Sequence, residues 1–357
     1  MKIAHLNKAF ICLFGILTCN NGLAAELDGG HVRLNNTQSL SSSTRSPYNL
    51  EGRLKLKGGS SPWRWQIDVT GDVNYDCNLE CSNGSKIDRA NISYKHQNIN
   101  LTIGRHAISW GNGLIFNPVD IFNPFDPLAI NRDYKPGDDM LHAEIARSNG
   151  DNVQFLYVNH ESEYSLASKY HGFYEDLEYD VLVARHFDET IASVGLNASI
   201  GDWLWRGDIQ HQGLIGGDSA QSLVTNLQRF FEFQGKPTSL TLEWYHNGFG
   251  LSETPSMQDL QHLFKRMARG ELFSPGKDYL AIALMSQMSA LWNMGVTSIS
   301  EAQNDQHIVQ ITSHHSLTND VEFIVALNLP WGSDYWSNKL NTQVSERSLS
   351  AQLSWYF

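Results

Sequence analysis

Ser348-Leu349-Ser350-Ala351-Gln352-Leu353-Ser354-Trp355-Tyr356-Phe357, the C-terminal stretch of the chain, divides cleanly by parity. As an extended strand it carries Leu349, Ala351, Leu353, Trp355 and Phe357 on one face and Ser348, Ser350, Gln352 and Ser354 on the other. An ordinary edge strand with this pattern would leave Leu349, Leu353, Trp355 and Phe357 in water. The apolar face therefore demands an apolar neighbour, either a second sheet or hydrocarbon.

The same period of two runs back through the chain to Tyr48. Trp63-Arg64-Trp65-Gln66-Ile67-Asp68-Val69-Thr70 places Trp, Trp, Ile and Val opposite Arg, Gln, Asp and Thr, and Trp203-Leu204-Trp205-Arg206-Gly207-Asp208-Ile209-Gln210 nearly repeats the scheme. Similar alternation marks Ala90-Ile92-Tyr94, Ile99-Leu101-Ile103, Val194-Leu196-Ala198, Leu240-Leu242-Trp244 and Val321-Phe323-Val325-Leu327, whereas Asp180 to Phe187 alternates less cleanly. Strand-length stretches separated by Gly, Asn, Asp, Ser or Pro are the signature of a membrane barrel, and paired tryptophans at a strand end match an aromatic girdle above a lipid-facing band. Alternation alone also fits a soluble sandwich whose apolar face points inward. Typical strand lengths give roughly 14 to 16 strands over residues 48–357, an even number being expected, with 26–47 read as a polar lead-in.

Composition separates these alternatives further. At 357 residues, 41% hydrophobic content and a mean hydropathy of -0.34, the chain is neither a helical membrane protein nor disordered. The N-terminus has the form of an export signal, with Lys2 and Lys8, the apolar run Ala9 to Leu17 and small residues before Glu26. Cleavage is expected after Ala25, giving a leader of residues 1–25. Cys12 and Cys19 leave with it, and Cys77 and Cys81, in a polar, turn-rich setting, are expected to form a small disulfide loop at a hairpin tip. With 38 acidic against 26 basic residues the surface repels nucleic acid. No motif implies a cofactor or a structural metal.

The closing strand resembles those of bacterial outer-membrane barrels, in which a terminal aromatic and alternating apolar positions are read by the assembly machinery. Leu353, Trp355 and Phe357 would carry that signal here, and the resemblance implies a Gram-negative outer membrane with lipid against the apolar face. A second resemblance lies between Gly104 and Asp139, where alternation stops. Arg105, Trp110-Gly111-Asn112-Gly113 and Phe116-Asn117-Pro118-Val119-Asp120 are similar to a pattern of uncharacterised porin-like barrels. That likeness assigns no ligand.

Residues 115–126 form a tandem hexapeptide, Ile115-Phe116-Asn117-Pro118-Val119-Asp120 and Ile121-Phe122-Asn123-Pro124-Phe125-Asp126. Its prolines, with Pro127, cannot serve a central strand, and a long loop so rich in aromatics needs a surface to cover. The economical place is the lumen, so Trp110 to Asp139 is expected to fold inward as a constriction or plug. Candidate ligand or constriction residues are Arg105, Trp110, Phe116, Asp120, Phe122, Asp126, Arg132, Asp133 and Lys135. Acids on the loop facing bases on the wall would filter polar solutes, while the plainer alternative is a set of local salt bridges and Asx turns.

One segment has helical spacing: Ser256 and Asp259 suggest a capping box, followed by Met257, Leu260, Leu263, Phe264 and Met267, with Lys265, Arg266 and Arg269 on other faces. It lies within a long loop, 247–278. Enzymatic alternatives are weaker. His314-His315-Ser316 with Asn328 has the spacing of outer-membrane phospholipases, but Leu317 to Asp320 reads as a hairpin turn that carries Asn328 away from Ser316. His160-Glu161 and Asp138-Asp139 are acid and His-acid pairs of the kind an outer-membrane protease uses, with nothing in the sequence to join them. The expectation is a porin-like channel for small polar solutes without catalysis; the alternative is a barrel that binds a partner through its loops, or, less well supported, an outer-membrane hydrolase.

Overall fold

Alternation specifies a barrel only if every strand keeps the register that sends one parity outward, since a slip of one residue reverses the faces. In the computed structural model, which describes residues 25–40, 48–75, 81–132, 134–160, 163–251, 255–303, 305–332 and 346–357, that register runs around a closed ring, interrupted by bulges at Asp28, Asp88 and Met288. The strands are β1 (Ala25–Ser39), β2 (Tyr48–Gly58), β3 (Trp63–Tyr75), β4 (Cys81–His96), β5 (Ile99–His106), β6 (Asp138–Ala146), β7 (Asn152–His160), β8 (Glu163–Tyr174) and β9 (Leu177–His186). They continue with β10 (Glu189–Ile200), β11 (Trp203–Gly213), β12 (Ser219–Phe233), β13 (Lys236–His246), β14 (Asp278–Ser289), β15 (Trp292–Glu301), β16 (Gln306–Ser316), β17 (Val321–Gly332) and β18 (Ser348–Tyr356). Each pairs antiparallel with the next, and β1 pairs with β18 to close an 18-stranded sheet.

At the seam the aromatic Phe357 lies next to a glycine, Gly30. Register runs from His31 opposite Tyr356 to Ser39 opposite Ser348, and Gly30 and Phe357 exchange backbone hydrogen bonds of 2.9 and 3.1 Å. A Cβ on Gly30 would stand 2.3 Å from the Arg53 carbonyl oxygen and 2.7 Å from the Phe357 ring, so a side chain there would block closure.

The faces sort as the closing strand requires. Leu349, Leu353 and Trp355 point out while Ser350, Gln352 and Ser354 are buried inward, and in β3 Trp63 and Ile67 point out while Asp68 and Thr70 point in. Outward aromatics gather toward one rim, with Trp63 against Tyr94 at 4.7 Å, Trp355 against Phe357 at 5.3 Å and Trp292 on His315 at 5.4 Å. That rim carries most of the tight turns. Gln97, Glu175 and Gln234 take φ of 52°, 54° and 51° at the first positions of two-residue connections, the left-handed geometry that tight hairpins demand. The opposite rim carries residues 107–137 and 247–277. No helix among the described residues is long and apolar enough to cross a membrane.

Two expectations are corrected. The strand number is 18, not 14 to 16, and the 26–47 segment is not a lead-in, because Ala25–Ser39 supplies β1. β1 reads as polar because its inward side bears His31, Arg33 and Asn35, leaving Val32 and Leu34 to face outward. Strands such as β9 blur for the opposite reason: Val181 and Val183 face out, yet Leu182 on the inner side is also apolar and buried. Residues 1–24 of the expected leader, Cys77 and Asp133 lie outside the described residues, and with Cys77 so does the expected disulfide.

Candidate functional site

An inner wall with apolar patches needs something inside to cover it. Residues 107–137, which join β5 to β6, provide that cover. The first hexapeptide docks on β12–β16: Ile115 and Phe116 pack with Val224, Tyr245, Tyr279, Ala281, Ile299 and Ile308, and the Phe116 ring lies 4.8 Å from Tyr245 and 5.1 Å from Tyr279. The second docks on β6–β10, where Ile121 and Phe122, with Trp110 and Val119, meet Met140, Leu156, Val158, Leu182 and Ile191. The returning limb docks on β2–β4. There the Tyr134 ring sits under the Arg53 and Arg89 guanidinium groups, at 3.4 and 4.4 Å, and its hydroxyl donates to Asp68 at 2.7 Å. These arcs centre on β14, β8 and β3, close to thirds of the circumference. The segment is a three-point brace across the lumen.

Polar groups on the wall hold the backbone between those points. Glu243 on β13 accepts the amides of Leu114, Ile115 and Phe116 at 2.8, 3.0 and 2.7 Å, and Asp208 on β11 accepts the backbone and side-chain N–H groups of Asn112 at 2.6 and 2.7 Å. Hydrogen bonds to a carboxylate are about twice as strong as neutral ones, and each satisfies a donor that would otherwise be stranded away from bulk water. Trp110 Nε1 donates to Gln154 at 2.9 Å, and Gln310 Nε2 donates to the Leu128 carbonyl at 2.9 Å.

The candidates from the sequence meet different fates. Trp110, Phe116 and Phe122 are buried anchors. Lys135 reaches Asp120 at 2.5 Å and also donates to the Ile108 carbonyl and the Ser109 hydroxyl. Burial pushes the Asp120 carboxyl up to about 6 against the pull of Lys135, and burial also lowers the Lys135 ammonium. Arg132 donates to the carbonyls of Leu114 and Pro127, both at 2.8 Å, and Asp126 accepts the Leu128 amide at 2.8 Å in an Asx turn. Arg105 grips Asp139 through two hydrogen bonds of 2.7 and 2.8 Å at the mouth. The expected confrontation of loop acids with wall bases thus gives way to local pairs and turns. Arg147 sits in the short turn at the other rim.

Several functional residues were not legible beforehand. Glu243, Asp208, Arg53 and Arg89 sit at inward strand positions whose partners are far away in sequence, and only their parity hinted at the lumen. The helix α1 (Met257–Ala268) forms where its spacing predicts, with Ser256 as N-cap and the Asp259 capping box present. Its Arg266, off the apolar stripe, is buried and paired with Glu189, the first residue of β10. Beside it Arg269 lies 3.6 Å from the Phe187 ring, and Glu271 is held below the ordinary carboxylate range because His186, Arg269 and Arg266 together outweigh its burial.

Register also tests the hydrolase constellations. Ser316 stands opposite Glu322, whereas Asn328 stands opposite Gln310 and donates to Ser348, about 20 Å farther along at the usual strand rise. Asp139 does lie opposite Asn159, next to His160, a proximity the sequence did not reveal. Its carboxylate is occupied by Arg105, and Asp138 accepts from Asn123. Asp120, Asn123 and Asp126 turn to three separate partners.

Fold and segment together define a closed membrane-type barrel braced by an inward loop. No family model matches the chain, and no curated protein matches it. Among solved structures it is similar to Pseudomonas aeruginosa OccD3 (OpdP), with 14% identity, a TM-score of 0.62, and coverage of 94% of this chain and 92% of the other. It is similar to the Pseudomonas aeruginosa outer membrane protein OprD, with 10% identity, a TM-score of 0.62 and coverage of 93% and 94%. A third likeness is to Wzi, described as an outer membrane protein involved in group 1 capsule assembly in Escherichia coli and a carbohydrate-binding β-barrel, with 10% identity, a TM-score of 0.60 and coverage of 91% and 83%. At these identities the likeness is one of fold.

Proposed function

We propose that the protein is a porin-like channel of a Gram-negative outer membrane, passing small polar solutes by passive or facilitated diffusion, with residues 107–137 as its gate. The observation that carries this is the three-point brace: a segment tethered at both ends and docked on three arcs is placed where displacement opens a path. The likeness in fold to OprD and OccD3 supports the same reading. The apolar exterior and its aromatic belt suit lipid, and the rim with long loops is the extracellular one. Residues 1–25 act as the export leader, Cys77 and Cys81 form a disulfide, and Leu353, Trp355 and Phe357 are read by the barrel assembly machinery. No covalent chemistry is needed.

Conductance of the purified protein in a planar bilayer tests the proposal. Small or brief currents are expected from the intact protein and large steady ones after deletion of Ile115 to Pro127. Silence from both forms would reject a channel in favour of a barrel that docks a partner through its loops, a reading that the firm anchoring of the brace also accommodates.

A further inference from the structure

Between the brace and the loop that carries α1 lies a cavity of about 40 Å³. Pro118 and Ile121 form its floor, Gln210 and Tyr245 its wall, and Phe249 and Arg266 its roof. One hydrogen-bonded chain runs around it. Gln210 donates to Gln212 at 3.4 Å, Gln212 donates to Glu189 at 2.7 Å, and Arg266 donates to the same Glu189 carboxylate. The two ends of this chain are left over: Gln210 Oε1, an acceptor, and Arg266 Nε, a donor, are both buried without a hydrogen-bond partner among the described residues. Gln210 is 4% and Arg266 2% exposed. An unmet buried polar atom costs about 1–3 kcal/mol, so an acceptor and a donor left at one small cavity point to an occupant.

The chemistry of that occupant follows from three observations. A hydroxyl both donates and accepts through a single oxygen, and so matches either orphan. The volume suits a group the size of a water or a hydroxymethyl and excludes a ring, so a larger solute would insert one end. Charge is already balanced, Arg266 by Glu189 and Glu271 by Arg269, which leaves nothing for an ionic group to neutralise. Tyr245 and Phe249 offer apolar surface to a carbon skeleton.

We propose that this cavity is a binding subsite for the hydroxyl end of neutral polyhydroxylated solutes, entered from the extracellular rim and resting on the gate. The inference names the solute class for the channel proposed above and rests on that reading. A bound solute would touch both the gate, through Pro118 and Ile121, and the α1 loop, through Phe249 and Arg266, so that occupancy is sensed by both.

The test uses the full-length protein in detergent and three probes that share a skeleton: neutral D-glucose, anionic D-glucuronate and cationic 6-amino-6-deoxy-D-glucose, the last two charged at the position of the hydroxymethyl group. Saturation-transfer NMR should give saturable binding for glucose, and weaker binding for both charged analogues. Gln210→Leu, which deletes the acceptor at similar volume, should raise the apparent dissociation constant for glucose about fivefold, the worth of one hydrogen bond. Equal or stronger binding of either charged analogue, or no glucose binding, overturns the proposal, and the wild-type comparison stands even if the variant fails to fold. Unchanged glucose affinity in a folded Gln210→Leu barrel also overturns it. Currents without glucose binding sink this inference alone, whereas glucose binding without current in intact and deleted forms sinks the channel reading alone.

Discussion

The two copies of the hexapeptide agree at all positions but the fifth, yet equivalent residues make different contacts. Phe116 lies between Tyr245 and Tyr279, while Phe122 meets Trp110 and His186 edge-on at 5.8 and 5.3 Å. Asn117 donates to the Trp110 carbonyl, while Asn123 adopts φ of 55° and donates to Asp138. Asp120 is buried on Lys135, while Asp126 caps a turn. Amides at the head of the first copy are held by Glu243, and the second copy is held chiefly by apolar packing. Sequence repetition here is reuse of a turn-forming unit, and the wall decides what each unit does.

If the two copies are separately anchored, they can be loosened separately. The largest effects are expected from the aromatic anchors. Phe116→Ala and Phe122→Ala should each weaken local docking by about 3–5 kcal/mol. Hydrogen exchange should quicken at 114–118 in the first variant and at 119–126 in the second. Loss of protection across both copies in either variant would mean that they dock as one unit, and the contrast would fail.

Glu243→Gln keeps the shape of the grip and removes its charge. On the order of 2 kcal/mol should be lost at the first copy, with more frequent channel openings and an unaltered second copy. A smaller change, about 1–2 kcal/mol, is expected of Asn123→Ala, because alanine tolerates the left-handed backbone poorly, whereas Asn117→Ala carries no such backbone penalty. Equal melting temperatures for the two alanine variants would contradict this.

The smallest effect concerns pH. Asp120 titrates near 6 in the docked brace against an ordinary value of 3.8, so docking is favoured when it is protonated and loses that contribution as pH rises through about 6. Exchange at 119–122, corrected for its intrinsic pH dependence, should therefore be slower at pH 5 than at pH 7.5, and Asp120→Asn should flatten the difference. A brace that loosens on acidification would reverse the sign and refute the assignment.

Much of this architecture was legible because lipid and water enforce parity. The closing strand, the tryptophan pairs of β3 and β11 and the capping box of α1 are local statements, and each appears where its residues place it. The proline-rich hexapeptides announced that they were not strand. What stayed hidden depends on pairs distant in sequence. β9 alternates poorly because Leu182 faces the brace instead of water, which could be known only once the brace was inside. Glu243 looked like any inward polar residue until the amides of 114–116 arrived. Arg266 could be placed off the apolar stripe, but helical spacing says nothing about Glu189. The charges near 104–139 were conspicuous in sequence and turned out to hold the loop together.

The grip of Glu243 on Phe116 spans 127 residues of chain, and the Arg33–Ser354 contact across the seam spans 321. Contacts so far apart carry a large loop-closure cost and slow the search for the native state. The hexapeptides are synthesised well before β12–β16, so during assembly Ile115 and Phe116 await an arc that does not yet exist. The brace can therefore dock only once those strands are in place, which makes its docking a late event of folding.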